Sequence, residues 1–534
     1  MKKILLLLAP FLAGLALFLV ISKRSGPDYI FLITLDTTRA DYIDYSPTNN
    51  AHTPNLGRLA AAGMYFENAY SVIPITLPSH IAMFYSLPPH VFKIYNNGQE
   101  RPLPYPGLAE IMKSKGYATG AVISLAVLNK NFGLNKGFDH YLENFPPGLW
   151  YKTAAEVNRD SFSLIRKLKD KKAFFWIHYS DPHEPYFPPV GNEKFTVNCN
   201  GKPVYTSYSI QQPLVSLELN LEPGANTIRL DTETPAMLQD SRTFTVINYA
   251  DLKITALAPG ADITLSFSAD LVRHDERHGL VTYKSKLNSS SLTITNKGQK
   301  ACRAKLGFVY QLKIGNEAKA ALYEKEIKYL DEQIGRLLDF LRQEKLYDKS
   351  TFLVMGDHGE GLGEYQSHFG HIHYLNKAYV HVPFIISGKN IPRRGAQSGL
   401  VSNFNVAPTL LDLIHAKKPK AMVGKSALVE SSQDARLFLE TYSPEAYFDA
   451  FSVIRFPWQI IFYPGRPGDS MEFIDLQRDR FGIKNLITEP DPSGQRAEMI
   501  RSVLQISRII TANKRNQDSL NKKTMDTLKS LGYL

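Results

Sequence analysis

An α/β fold, with a mostly parallel sheet sandwiched by helices, is predicted by three features of the chain. The segments "YIFLITLD", "AFFWIHYSD" and "STFLVMGD" are apolar almost throughout, as strands buried on both faces are. Segments of helical period separate them, and that alternation gives a parallel sheet. Each strand also ends in residues that hold metals or protons: Asp36 after the first, His178, Asp181 and His183 at the second, Asp357 and His358 after the third. Ligands of open parallel sheets bind beyond the carboxyl ends of the strands. Three such endings therefore point to one shared site.

At the N-terminus, "MKKILLLLAPFLAGLALFLVISKR" carries an apolar run from Ile4 to Ile21 between basic flanks. At about 1.5 Å per residue it barely reaches across a hydrocarbon core of about 30 Å. Residues 1–24 are expected to form an uncleaved signal anchor, with a cleaved signal peptide as the alternative. Both place the rest of the chain in a periplasmic or extracellular location, the first with a single anchor in the cell membrane. "TPNLGRLAAAGMYF" is the first helix of the α/β body. "SVIPITLPSHIAMFYS" passes from extended chain into a helix whose first turn suits Pro78, placing Thr76 just ahead of the helix N-terminus. A helix start favours anions, although taken alone Thr76 reads as an ordinary cap. His178 lies within its strand and reads as a core histidine; Asp181 is placed either to orient His183 or simply to cap the loop.

From about Phe195 to Lys313 the pattern changes to period-two alternation punctuated by turns, as in "VSLELNLEPGANTIRLDT". An all-β sandwich-like module inserted in the α/β domain is expected there. The helix "AALYEKEIKYLDEQIGRLLDFLRQEKLYD" puts Leu330, Ile334, Leu337, Leu338 and Leu341 on one face and leads into the third buried strand. Gly356 and Gly359 beside Asp357 and His358 are expected to permit tight turns. "AFSVIRFPWQIIFYP" and "MEFIDLQRDRFGIKNL" predict a small C-terminal antiparallel sheet. The expected organisation is a catalytic domain over 25–192 and 315–490, the inserted module over 193–314, and a helical tail over 491–534.

Composition is that of a folded body, with 44% hydrophobic and 21% charged residues and a formal charge of +11. No basic stripe with interleaved aromatics appears, so a nucleic-acid partner is excluded. The two cysteines, Cys199 and Cys302, leave a disulfide and two free thiols equally open. The cluster "HDERH" (His274–His278) reads as a solvated loop.

The motifs "LITLDTTRADYI", "TPNLGRLAAAGMYFENAYS", "ITLPSH", "FFWIHYSDPHEPYFPP" and "VMGDHGEGLGE" together resemble the sulfatase family of the alkaline phosphatase superfamily, and "GFDHY", "HVPFIISG" and "LKSLGYL" fit as well. The resemblance implies an alkaline-phosphatase-like fold and assigns roles by position. Asp36 matches the first metal-binding aspartate, and Asp357 with His358 the second metal-binding pair. Thr76 matches the nucleophile, and would also touch the metal, at the first position of the C/S-x-P-S/A-R signature, here T-L-P-S-H. His183 matches a histidine at the substrate oxyanion or leaving group. Lys130 and either His371 or His373 fall near positions that bind the charged group, and His80, expected to contact the substrate, takes the place of the signature arginine.

The departures matter. Threonine cannot be oxidised to the formylglycine of sulfatases, and Thr37 stands where a second aspartate is usual. The set Thr, Asp, Asp, His is similar to that of lipoteichoic acid synthases and phosphoethanolamine transferases. The implied enzyme is a metal-dependent hydrolase or transferase of phosphate or sulfate esters, acting through a substituted threonine. Its substrate is an anionic ester, lipid- or glycan-linked. One divalent cation is implied; imidazole among the ligands suits zinc or manganese better than calcium or magnesium. The alternative is a catalytically degenerate glycan-binding protein that works through the β module.

Overall fold

The computed structural model describes residues 26–45, 52–103, 105–145, 150–184, 186, 194–207, 215–233, 246–257, 259–269, 271–275, 281–285, 289–313, 316–429, 435–442, 448–466, 470–491 and 493–514. Eight strands form the central sheet: β1 (Tyr29–Leu35), β2 (Met64–Tyr70), β3 (Ala118–Val122), β4 (His140–Leu142), β5 (Ala173–Tyr179), β6 (Ser350–Gly356), β7 (Phe384–Gly388) and β8 (Gly395–Ser402). Their spatial order is β8-β2-β7-β6-β1-β5-β3-β4. Only β7 runs against the others. The sheet is therefore mostly parallel, and the predicted α/β class holds.

The apolar runs are explained by position in this sheet. All residues of β1, β5 and β6 are buried, because helices cover both faces of the centre. Phe31 of β1 stacks between Phe175 of β5 and Phe352 of β6, at centroid distances of 5.0 and 5.3 Å. Helix α1 (Thr76–Tyr85) is buried along its whole length and closes on Ser86 in a left-handed conformation. Helix α2 (Ala154–Leu168) starts with a capping box between Thr153 and Glu156. In helix α3 (Asn316–Gln343), Leu330, Ile334, Leu337, Leu338 and Leu341 are all buried, as their common face predicts.

The chain divides into two compact units: Met1–Asn144, Lys152–Ser180 and Leu330–Leu534 in the first, and Phe145–Tyr151 with Asp181–Tyr329 in the second. The first also contains a four-stranded antiparallel meander of strands Leu437–Thr441, Ala450–Arg455, Trp458–Tyr463 and Ser470–Asp475, as expected near the C-terminus. A helix, Arg496–Lys514, comes after it. The second unit holds two five-stranded antiparallel sheets. Phe195 of one meets Phe308 of the other edge to face at 6.1 Å, among buried Val197, Leu219, Ile228, Leu292 and Leu306. Alternation with period two is what a strand with one buried face requires. Cys199 and Cys302 are free thiols.

The expected membrane anchor is corrected. No helix among the described residues is long and apolar enough to cross a membrane. The run from Ile4 to Ile21 lies outside the described residues. A single N-terminal anchor is therefore unsupported.

Candidate active site

The site is built where β6, β1 and β5 end side by side. Leu35 is in register with Gly356 on one side and Tyr179 on the other. The ladder continues one step further, with Asp36 N–H donating to Tyr179 O at 2.9 Å and Asp357 N–H to Leu35 O at 3.2 Å. Asp36 and Asp357 thus emerge together from adjacent strand ends, and both are wholly buried.

The backbone then turns in a way that orients Asp357. Thr37 adopts φ +51°, a conformation that costs a β-branched residue about 1–3 kcal/mol. This aims its N–H at Asp357 Oδ1, 3.1 Å away, and His358 N–H donates to the same oxygen at 2.7 Å. Asp357 Oδ2 is buried and accepts no hydrogen bond among the described residues. It lies 3.4 Å from His358 Nε2. His358 Nδ1 donates to Gly359 O at 3.0 Å, which leaves the lone pair on Nε2. That nitrogen is 4.0 Å from Asp36 Oδ1 and 3.4 Å from Thr76 Oγ1.

Thr76 is the first residue of α1 rather than the residue before it, and it is fully buried. Asn97 accepts from Leu77 N–H at 2.9 Å, while Ser79 Oγ donates to Asp357 O and accepts from Asn403 Nδ2, both at 2.8 Å. The helix start is thereby fastened to the strand end that carries Asp357. Gly356 and Gly359 have a different reason from the one expected. Neither has a positive φ; a Cβ on Gly356 would stand 2.7 Å from Thr38 O, and one on Gly359 2.1 Å from Ala378 O. Close backbone approach, not turn conformation, selects glycine there.

Asp36, Asp357 and His358 bring one potential ligand atom each within 4.8 Å of the others. Burial, and then the charge of Asp36, push the Asp357 carboxyl well above the usual carboxylate range. Two buried carboxylates beside an imidazole lone pair are a donor set that a divalent cation would satisfy and neutralise. His80, His178 and Asp357 form a second group of this kind.

The other expected site residues divide into those gathered here and those held elsewhere. His371 is buried, its ring 4.6 Å from that of His358 and its Nδ1 3.4 Å from Glu360 Oε1. Ile372, at φ +82°, turns the chain before His373. The His373 ring lies 5.3 Å from that of His368, and burial, followed by His368 and His371, lowers its pKa to about 4. His80 is fully buried beneath the site and faces Thr76 O and Thr34. Lys130 is not gathered with these residues: its side chain is 67% exposed and its Nζ lies 3.4 Å from Glu143 Oε1. His183 belongs to the second unit, where Nδ1 donates to Glu184 O at 2.6 Å and the ring meets Trp150 edge to face.

Two residues went unassigned in the sequence. His178, read as core, has Nε2 3.4 Å from Asp36 Oδ2; a lone polar residue in a fully buried strand is the signal that marks it. Arg39, three residues beyond Asp36, is buried and binds Asp41, Glu364 and the carbonyl of Glu360. An arginine set between two aspartates in a short strand-end loop is the corresponding mark.

Comparison with known proteins identifies the family and the fold. The sulfatase family model matches residues 28–416. A choline-sulfatase of Rhizobium meliloti is 21% identical over 87% of this chain and 83% of that protein. An arylsulfatase of Clostridium perfringens is 22% identical over 89% of this chain and 93% of that protein. A solved structure bound to its substrate D-glucosamine-2-N,6-O-disulfate superposes with TM-score 0.60 and 15% identity, covering 93% of this chain and all of that one. The phosphonate monoester hydrolase of Silicibacter pomeroyi gives TM-score 0.55 at 14% identity, with 92% of this chain and 96% of that one covered. The match of the family model over most of the chain, on the fold that carries it, makes this protein a member of the sulfatase family.

Proposed function

We propose that the chain hydrolyses sulfate or phosphate esters with Thr76 as the nucleophile and one divalent cation held by Asp36, Asp357, His358 and Thr76. The observation that carries this is the placement of Thr76 Oγ1, at a buried helix start and 3.4 Å from His358 Nε2. When bound, the cation would neutralise the two carboxylates and lower the pKa of the threonine hydroxyl. The helix start favours the anionic oxygens of the transferred group, and His371, packed on His358, takes one of them.

Thr76 Oγ gives up its proton to solvent and attacks the sulfur or phosphorus in line; the bond to the ester oxygen breaks, and that oxygen takes a proton from solvent and leaves as the alcohol. Threonine carries a single hydroxyl, so the group it has accepted leaves only by a second in-line displacement. Water as acceptor gives hydrolysis; another alcohol would give transfer. Relatives named for sulfate esters, and a fold neighbour named for phosphonate monoesters, support an anionic ester as substrate.

The test assays the protein on aryl sulfate, aryl phosphate and phosphodiester substrates with zinc, manganese or neither, beside Thr76→Ala. Turnover should need the metal, be abolished in Thr76→Ala, and leave a substituted Thr76 detectable by intact mass on rapid quenching. Full activity of Thr76→Ala rejects the reading.

A further inference from the structure

We infer that His80 and His178, the two buried histidines beneath the site, are positioning residues held in opposite neutral tautomers, His80 fixing the backbone of Thr76 and His178 fixing the carboxylate of Asp36. The inference rests on the roles proposed for Thr76 and Asp36.

The hydrogen-bond partners decide the tautomers, because several of them have only one possible role. His80 Nδ1 lies 2.8 Å from the carbonyl of Thr76, which can only accept, so Nδ1 carries the proton. Its Nε2, 3.1 Å from Thr34 Oγ1, is then the acceptor. Thr34 Oγ1 in turn accepts from Trp176 Nε1 at 2.9 Å, which leaves its own hydrogen for His80. A directed chain thus runs from Trp176 through Thr34 and His80 to the nucleophile's carbonyl.

His178 has the reverse arrangement. Its Nδ1 lies 2.7 Å from Ser124 Oγ and 3.4 Å from Ser124 N, and a backbone N–H can only donate. Nδ1 is therefore the acceptor and Nε2 carries the proton, 3.4 Å from Asp36 Oδ2, an approach within ion-pair range but outside hydrogen-bond geometry. The two rings meet edge to face, 4.9 Å apart at 69°. With these commitments neither nitrogen of His80 is available to a cation. The grouping of His80, His178 and Asp357 is then a support for the site rather than a second metal centre.

Opposite tautomers make opposite amides conservative. The amide nitrogen of asparagine falls near Nδ1 of histidine, and that of glutamine near Nε2. Zinc affinity, by competition with a chelator, and steady-state kinetics on whichever aryl ester the wild-type protein hydrolyses would be measured on four variants of the full chain. His80→Asn should keep kcat within about threefold, and His80→Gln should lose about 10–100-fold in kcat with KM unchanged. At the other ring, His178→Gln should keep zinc affinity within about threefold and His178→Asn should weaken it about 10–100-fold. Equal losses from both amides at each position would overturn the inference. Long-range 1H–15N spectra of the zinc-free wild-type protein, with the two rings identified by their loss in the variants, read the tautomers independently of folding in any one mutant. Finding the proton on the same nitrogen in both rings would also overturn it. Thr76→Ala and Asp36→Asn separate the two levels. Retained activity in the first and retained zinc binding in the second reject the site itself, whereas their loss without the amide crossover rejects only the inference.

Discussion

Asp36 and Arg39 are three residues apart on the loop that leaves β1, yet the acids around them are neutralised in different ways. Arg39 gathers two carboxylates of its own. Its Nε and Nη2 each donate to Asp41 at 2.9 Å, and its Nη1 donates to Glu364 at 2.5 Å. Burial alone would lower the Arg39 pKa, but Asp41 and Glu364 raise it well above the ordinary value. Around Asp36 the second carboxylate, Asp357, is instead pushed upward by burial and by Asp36 itself. One cluster carries its cation in the sequence and is complete on folding. The other sets two carboxylates against an imidazole lone pair and would be completed by the cation proposed above. Stability is the expected product of the first arrangement and reactivity of the second.

The sharpest way to break this contrast is to remove one charge from the second cluster. In Asp357→Asn the amide oxygen keeps both backbone N–H donors, from Thr37 and His358, while the charge beside Asp36 is gone. Activity should fall roughly a thousandfold, corresponding to about 4 kcal/mol of barrier. Zinc at a hundred times its wild-type Kd should stabilise the wild-type protein by about 2.7 kcal/mol and the variant scarcely at all. Without metal the variant should be at least as stable as the wild type. A metal-free variant that is markedly less stable would mean that Asp357 serves the fold rather than a cation.

The opposite experiment removes the built-in cation. Arg39→Leu leaves Asp41 and Glu364 largely buried without their partner, and losses of about 3–5 kcal/mol are typical for that change. Urea unfolding should show this loss with and without zinc alike. A variant of wild-type stability that has lost only activity would place Arg39 in the chemistry instead.

How much of this was legible in the sequence depends on how far apart the contributing segments lie. Asp36, Asp357 and His358 stood out because a strand buried on both faces must be apolar, so the polar residue at its end is conspicuous. His178 was hidden by the same rule. One histidine inside "AFFWIHY" reads as core until the order β1-β5-β3 puts Asp36 on one side of it and Ser124 on the other. His80 stands where the signature has an arginine, and that suggested substrate contact. The helix instead returns its ring to the carbonyl four residues earlier, in the buried floor. The left-handed conformation of Thr37 had no sequence mark at all, since threonine is a residue that normally avoids it.

The smallest effect tests the first cluster through pH. Burial tends to raise the Asp41 pKa, but the Arg39 guanidinium outweighs it and holds the carboxyl below its ordinary value. A group with a depressed folded-state pKa binds protons more readily when unfolded. Its stabilisation is complete above the unfolded pKa, about 3.9, and is lost as the pH falls through the lower folded value. The stability gap between wild type and Arg39→Leu should therefore be widest near neutrality and narrow in acid, because the variant lacks this contribution at every pH. Urea unfolding at pH 7 and near pH 3 measures it. A gap that stays constant would mean that Arg39 stabilises by packing and by its stacking over the rings of Tyr42 at 5.2 Å and Phe481 at 5.9 Å, rather than by its ion pair with Asp41.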